Sequence, residues 1–316
     1  MGFQTAVLTD FRPDGWRIET RDIEAAPGEV VLRVRAAGIC GRDRVIVRGG
    51  FRNLRPPLIL GHEVFGEVDG RPYAVYPFRT CRQCGFCLSG EENLCEGNFQ
   101  VLGETRPGGY AEAVAVPTDL LVPLPTEAYV DYAAAACAVA TTFHAVRQAG
   151  VGPGARVLVT GAGGGVGIHM VQVLQPMGLE VFALVSKKKA DVVAGLGARI
   201  VSLQDRPPVV DAVFENVGTP TINWSLSALR RKGVLVWIGN VTGEAPRLLR
   251  PAVTIMREHR IVGSAAYTRR EWGLALEWIG SGRVRPFFRT FPLSAVAEAY
   301  ATLDRDEVVG RAVLVP

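Results

Sequence analysis

Lysine is scarce in this chain. Only four lysines occur in 316 residues, although Lys and Arg together number 35 against 31 Asp plus Glu. The formal net charge of +4 therefore rests on arginines scattered among acids. A nucleic-acid surface needs a long basic stripe interleaved with aromatics, and none is present, so no nucleic-acid partner is expected. No run approaches the ~18 uncharged apolar residues of a spanning helix, so no membrane partner is expected either. The opening Met1–Thr9 turns polar before a signal-peptide core forms. Ala6 stands where myristoylation after Met1-Gly2 requires Ser or Thr. Internal repeats and low-complexity tracts are missing as well. With 48% hydrophobic and 21% charged residues, a disordered or collagen-like chain is excluded. The expectation is a soluble protein of the cytoplasm, with one large domain or two ordinary ones.

What is present changes character along the chain. From Glu29 to about Val122, short apolar runs are broken by Gly and Pro, and Val30–Val34 and Ala113–Val116 read as strands. An Ala-rich helical run begins at Ala133 and ends at Gly150. Strands and helices then alternate: Arg156–Thr160, Glu180–Val185, Ala212–Phe214 and Val234–Ile238 as strands, with Val166–Met177, Asp191–Leu196 and Ile222–Leu229 as helices. Such βα alternation predicts an α/β fold, a doubly wound parallel sheet with helices on both faces. A last short strand is expected at Arg311–Val315.

Gly161-Ala-Gly163-Gly164-Gly165-Val166-Gly167 closes a predicted strand and opens a helix. Glycines there permit a tight turn and let helix-terminal N–H groups approach a pyrophosphate. In isolation such a run is a flexible turn; inside a βαβ unit it reads as a nucleotide site. About 20 residues on, an NAD site carries an acid on the ribose 2′-hydroxyl. This chain has Ser186 followed by Lys187, Lys188 and Lys189. Ser and Lys bind a 2′-phosphate that an acid repels, so the expected cofactor is NADP(H), with Ser186, Lys187 and Lys188 on the phosphate. The plainer reading is a solvated basic helix start.

Cys81-x2-Cys84-x2-Cys87-x7-Cys95 places four thiols in one short segment. Four thiolates at such spacing suit a closed, structural tetrahedral zinc. Disulfides compete poorly in a reducing compartment, and an iron–sulfur cluster also uses four cysteines. Cys40 and Cys137 are left over, and a solitary Cys is more often core than ligand. His62, in Gly61-His62-Glu63, reads equally well as a buried, satisfied imidazole.

Taken in order, Gly38-Ile-Cys40-Gly-Arg-Asp43, Gly61-His-Glu63, the four-cysteine segment, Gly108-Gly-Tyr-Ala-Glu112, the Gly-rich loop, Asp211–Gly218 and Val309–Leu314 resemble the zinc-containing alcohol dehydrogenases of the medium-chain dehydrogenase/reductase superfamily. The resemblance runs nearly end to end. It implies a GroES-like β-barrel domain over about 1–137 and 266–316, with its zinc lobe near 78–97. It also implies a Rossmann cofactor domain over about 138–265, with substrate in the crevice between them. It makes Cys40, His62 and Cys137 the ligands of a catalytic zinc, Glu63 the acid beside it, Asp43 the carboxylate orienting His62, and Thr141 a neighbour of the nicotinamide. Val217 and Gly239, after two strands of the cofactor domain, join the expected cofactor contacts. Two zinc ions per chain and a homodimer or homotetramer follow from the same resemblance, and Arg260–Ser264 is a candidate edge strand for pairing between copies.

The departures concern chemistry more than fold. Two residues after Cys40, where the family has a Ser or Thr to relay the substrate proton, stands Arg42, which cannot act as a base near neutral pH. A second relay position, often His, is Val45. Arg42 is therefore expected to turn from the metal toward cofactor phosphate or an acidic partner. The connection between Gly66-Glu-Val68 and Gly70-Arg-Pro is about ten residues shorter than in the family. The implied activity is reversible hydride transfer between NADP(H) and an alcohol or a ketone or aldehyde, bulky or cyclic ketones included. Two alternatives stand beside it: a zinc-free quinone or enoyl reductase, suggested by Ala162-x-Gly-Gly-Val-Gly167, and an NADPH-binding protein with little turnover.

Overall fold

The computed structural model describes residues 2–316, which divide into two compact units, 2–137 with 268–316 and 138–267. The first unit opens with a hairpin of β1 (Gly2–Leu8) and β2 (Trp16–Asp22). β3 (Glu29–Ile39) follows, burying Leu32, Val34 and Ala36 while Arg33 and Arg35 face out. That alternation is the period-2 signature of a half-buried strand. α1 (Gly41–Val47) starts directly after it. β4 (Glu63–Val68) and β5 (Arg71–Val75) then form an antiparallel pair. The short connection seen in the sequence is a two-residue turn: Asp69 and Gly70 have φ of 49° and 72°, the left-handed pair that an Asp-Gly hairpin uses.

β6 (Phe78–Arg79), α2 (Gly85–Leu88) and β7 (Gln100–Val101) belong to the cysteine lobe. β8 (Ala113–Pro117) and β9 (Leu121–Pro123) complete the first pass, and α3 (Tyr129–Ala149) leads out of it. The chain returns to this unit from Thr268. The core of this unit includes Tyr76, Tyr110, Tyr132 and Phe65, all buried.

The second unit holds β10 (Arg156–Thr160), α4 (Gly167–Leu174), β11 (Glu180–Leu184), α5 (Ala190–Ala194), β12 (Arg199–Val201), β13 (Val210–Glu215), α6 (Ile222–Ala228), β14 (Leu229–Trp237), α7 (Pro251–Met256) and β15 (Arg260–Gly263). Their order in the sheet is β12-β11-β10-β13-β14-β15, and every pairing is parallel. This is the doubly wound Rossmann arrangement, in which strand order reverses between β10 and β13. Residues alternate between its two faces: Val157, Val159, Ala212, Phe214, Val234 and Val236 enter one core, and Leu158, Val213 and Leu235 the other.

α4 stops at Leu174, short of the expected Met177. Gln175 still holds helical φ and ψ of −57° and −56°, but Pro176 lacks the N–H for the next helical bond. β14 begins at Leu229, well before the expected Val234, and continues through a register shift, with Lys232 at φ 61°.

The chain ends with α8 (Arg269–Gly280), β16 (Phe288–Pro292), α9 (Val296–Asp304) and β17 (Arg311–Val315). α8 opens on a capping box in which the Thr268 N–H donates to Glu271 Oε2 at 2.7 Å. The seven-stranded sheet of the first unit runs β16-β17-β3-β4-β5-β9, with β8 also on β3. No helix among the described residues is long and apolar enough to cross a membrane.

Candidate metal and dinucleotide sites

The end of β3 delivers Cys40 to the N-terminus of α1, where the Cys40 N–H donates to Asp43 Oδ2 at 2.9 Å. The same oxygen accepts from the Tyr110 hydroxyl at 3.0 Å, so one buried carboxylate is held from two sides. Its other oxygen lies 3.4 Å from His62 Nδ1. His62 thereby turns Nε2 toward Cys137, which α3 supplies, at 3.9 Å from Sγ. The ligand atoms of Cys40, His62, Glu63 and Cys137 all lie within 4.8 Å of one another.

Glu63 enters this cluster through a gap that a side chain would close. A Cβ on Gly38 would fall 2.1 Å from Glu63 Oε2 and 2.4 Å from the Ala133 carbonyl. Arg311, on β17, brings Nη2 to 3.0 Å from Glu63 Oε1, and both side chains are almost wholly buried. Burial pushes the Glu63 carboxyl up to about 8, with Arg311 opposing that rise. Hydrogen bonding with Cys137 draws the Cys40 thiol well below its usual range, and the same contact lifts Cys137. Burial disfavours a charged His62, but Asp43 more than offsets it and raises the imidazole's pKa.

These residues fit a metal. Two thiols and an imidazole converge within 4.8 Å of one another, and the Asp43 carboxylate sits behind the imidazole. Glu63 Oε1 faces Arg311 Nη2, and Oε2 is buried without a hydrogen-bond donor.

Arg42 turns into an acidic partner. Its Nε and Nη2 both reach the Glu104 carboxylate, with Nη2–Oε2 at 2.8 Å, and its guanidinium stacks 4.6 Å from the Phe51 ring centroid. Glu104 is 5% exposed and Arg42 47%. Val45 lies on the same short helix. Thr141 sits one turn beyond Cys137 on α3 and is buried.

The second cluster is Cys81, Cys84, Cys87 and Cys95, with thiol sulfurs within 4.8 Å of one another and all six cysteines of the chain unpaired. The Cys84 N–H donates to Cys81 Sγ and the Cys81 N–H to Cys95 Sγ, each at 3.3 Å. N–H groups of Cys87 and Glu96 hold the Cys84 thiol down to about 6. Backbone donors aimed at sulfur favour thiolates, as a four-thiolate zinc requires.

In the second unit the Gly161–Gly167 turn follows β10, at the point where sheet order reverses, and opens α4. A Cβ on Gly167 would lie 2.3 Å from the Gly161 carbonyl, so this glycine is what lets the turn close. Gly164 donates its N–H to that carbonyl at 3.0 Å, and His169 Nδ1 lies 2.7 Å from the Gly165 carbonyl. Val166 precedes the helix. Val217 packs on Gly161 and Gly239 on Asn216, which brings the expected contacts after β13 and β14 to the same end of the sheet.

Ser186, Lys187 and Lys188 are exposed after β11, whereas Lys189 is buried, its aliphatic stem against Gly163. The sequence reading had not singled out Lys189. Only a fold that lays the turn after β11 beside the glycine turn separates it from its two neighbours. Arg311, Tyr110, Glu104 and Glu215 were likewise missed, because each acts through a partner remote in sequence.

Residues 26–126 match the alcohol dehydrogenase GroES-like domain, and residues 165–281 match the zinc-binding dehydrogenase family. The chain is 32% identical to acryloyl-coenzyme A reductase of Metallosphaera sedula, over 98% of this chain and 99% of that protein. It is 30% identical to NAD-dependent alcohol dehydrogenase of Saccharolobus solfataricus, over 91% and 92%. A cobalt- and zinc-bound thermostable alcohol dehydrogenase from Pyrobaculum aerophilum superposes with a TM-score of 0.90 at 25% identity, covering 100% of both chains.

Proposed function

This chain belongs to the zinc-containing alcohol dehydrogenase family of the medium-chain dehydrogenase/reductase superfamily, and from that premise we propose that it transfers hydride between NADP(H) and a carbonyl compound or its alcohol. The observation that carries this reading is the buried convergence of Cys40, His62 and Cys137, with Asp43 behind His62 and Glu63 alongside. Zinc on those three ligands would leave a fourth position for substrate oxygen and supply Lewis-acid polarisation. Asp43, with Oδ1 3.4 Å from His62 Nδ1, orients His62, and Tyr110 and the Cys40 N–H fix Asp43. Cys81, Cys84, Cys87 and Cys95 would hold a second, structural zinc.

A bound dinucleotide would supply the hydride, or accept it in the reverse direction. The Gly161–Gly167 turn would bind its pyrophosphate. Ser186, Lys187 and Lys188, joined by Lys189, would bind a 2′-phosphate where no acid stands to repel it. Thr141, Val217 and Gly239 complete the proposed contacts. With Arg42 committed to Glu104 and Val45 in place of a His, this chain relays no proton from substrate oxygen through those positions.

That last feature favours a second reading, reduction of a carbon–carbon double bond conjugated to a carbonyl. Hydride then enters at the β-carbon and the proton is needed at the α-carbon, so a relay to the carbonyl oxygen is dispensable. The relative named acryloyl-coenzyme A reductase points the same way.

NADPH oxidation with product analysis decides between the two. The panel runs from small aldehydes to bulky cyclic ketones and α,β-unsaturated thioesters. Alcohol products support carbonyl reduction, and saturated thioesters support the second reading. Tight NADPH binding with no oxidation across the panel overturns both in favour of a binding protein. Arg42→Ser restores a hydroxyl beside Cys40 and is expected to raise oxidation of simple alcohols about tenfold or more.

A further inference from the structure

Glu215, the last residue of β13, is completely buried. Its Oε1 accepts from Thr160 Oγ1 at 2.7 Å, Val217 N at 3.0 Å, Gly218 N at 2.9 Å and Thr221 Oγ1 at 2.7 Å. Its Oε2 accepts from Ser225 Oγ. A carboxylate taken from water is tolerated only when donors replace its hydration, and here every donor is neutral.

The donors come from four places that meet at one end of the sheet: the last residue of β10, the turn after β13, the residue before α6, and α6 itself. Thr160 Oγ1 in turn accepts from the Asn216 N–H at 2.9 Å, and Asn216 Nδ2 donates to the Thr160 carbonyl at 3.1 Å. Thr160 hands the chain to Gly161, whose added Cβ would stand 2.9 Å from Val217 Cγ2. A Cβ on Gly239 would stand 2.5 Å from the Asn216 carbonyl oxygen. One carboxylate thus ties together the two strand ends at which the sheet reverses, and with them three of the residues assigned to the cofactor.

We infer that Glu215 is a positioning residue for the dinucleotide, holding the Gly161 turn and the Val217–Gly218 turn in their binding geometry before the cofactor arrives. Binding then does not have to order those turns, and affinity gains by that amount. The inference rests on reading Gly161–Gly167 as the dinucleotide turn.

The test titrates NADPH and NADH, by reduced-nicotinamide fluorescence, into wild type, Glu215→Gln, Glu215→Ala and Thr221→Val, each first verified as folded by circular dichroism. Gln keeps an oxygen for the four-donor position, and its amide can donate to Ser225, so its Kd stays within about threefold of wild type. Ala leaves the donors unanswered, and Kd rises roughly tenfold or more while kcat at saturating cofactor changes less. Thr221→Val removes a single donor, raises Kd about threefold and carries the test if the Ala variant does not fold. Lower melting temperatures with unchanged Kd in the variants would reduce Glu215 to a packing role and overturn the inference. Wild-type protein that binds neither dinucleotide overturns the reading of the turn and this inference with it.

Discussion

Arg311 and Glu63 form an ion pair inside the first unit, Nη2 to Oε1 at 3.0 Å, with side-chain exposures of 3% and 1%. Arg311 also donates Nη1 to the Ile39 carbonyl at 3.3 Å, one residue before Cys40, a proposed zinc ligand. The pair therefore braces the strand that presents Cys40 and balances the acid beside the Cys40, His62 and Cys137 cluster.

Breaking one half of such a pair leaves an uncompensated buried charge. Arg311→Met is expected to lower unfolding free energy by about 3–5 kcal/mol, whereas the double variant Arg311→Met with Glu63→Gln recovers part of that loss. Urea unfolding of wild type and the two variants measures it. A single variant as stable as wild type would show that the pair is not a brace.

Native mass spectrometry is expected to find two zinc ions per chain. Cys87→Ser is expected to remove one and lower the melting temperature with little change in NADPH affinity, because that four-thiol cluster is closed. Zinc-free protein with full turnover would defeat both metal assignments.

NADPH is expected to bind roughly tenfold or more tightly than NADH, with the preference shrinking as salt rises. Ser186→Asp with Lys187→Ala is expected to reverse it. Lys189→Ala weakens NADPH more than Lys188→Ala does, since Lys189 alone among the three packs on the glycine turn. Equal affinity of wild type for the two cofactors would sink this assignment.

A second copy of the chain is the expected partner of β15, the edge of the parallel sheet, where Ile261 is 40% exposed. Ile255 and Met256 at the end of α7, 75% and 78% exposed, lie shortly before it in sequence. Light scattering at micromolar concentration is expected to report twice or four times the 34.0 kDa chain mass, and Ile261→Lys to shift it toward the monomer. A wild-type monomer would refute the assembly.

What the sequence by itself determined is local chemistry. The glycine turn, the four-cysteine segment, the alternation along β3 and the βα rhythm from β10 to β14 depend on neighbours a few residues apart, so spacing exposes them. The resemblance brought Cys40, His62, Glu63 and Cys137 together as one set, and the fold places their side-chain donor atoms within 4.8 Å of one another. Spacing alone had left His62 and the two lone cysteines ambiguous, because a ligand and a core residue look alike until the chain closes.

Tertiary structure alone decided the partners. Arg42 could have faced phosphate or an acid, and the choice of Glu104 lies 62 positions away. Tyr110 reaches Asp43 across 67 positions, and Glu215 collects Thr160 across 55. Each of these contacts exists because a sheet register or a strand end brings two remote residues to one place. Buried charge then selects which of the groups that meet there must hydrogen-bond.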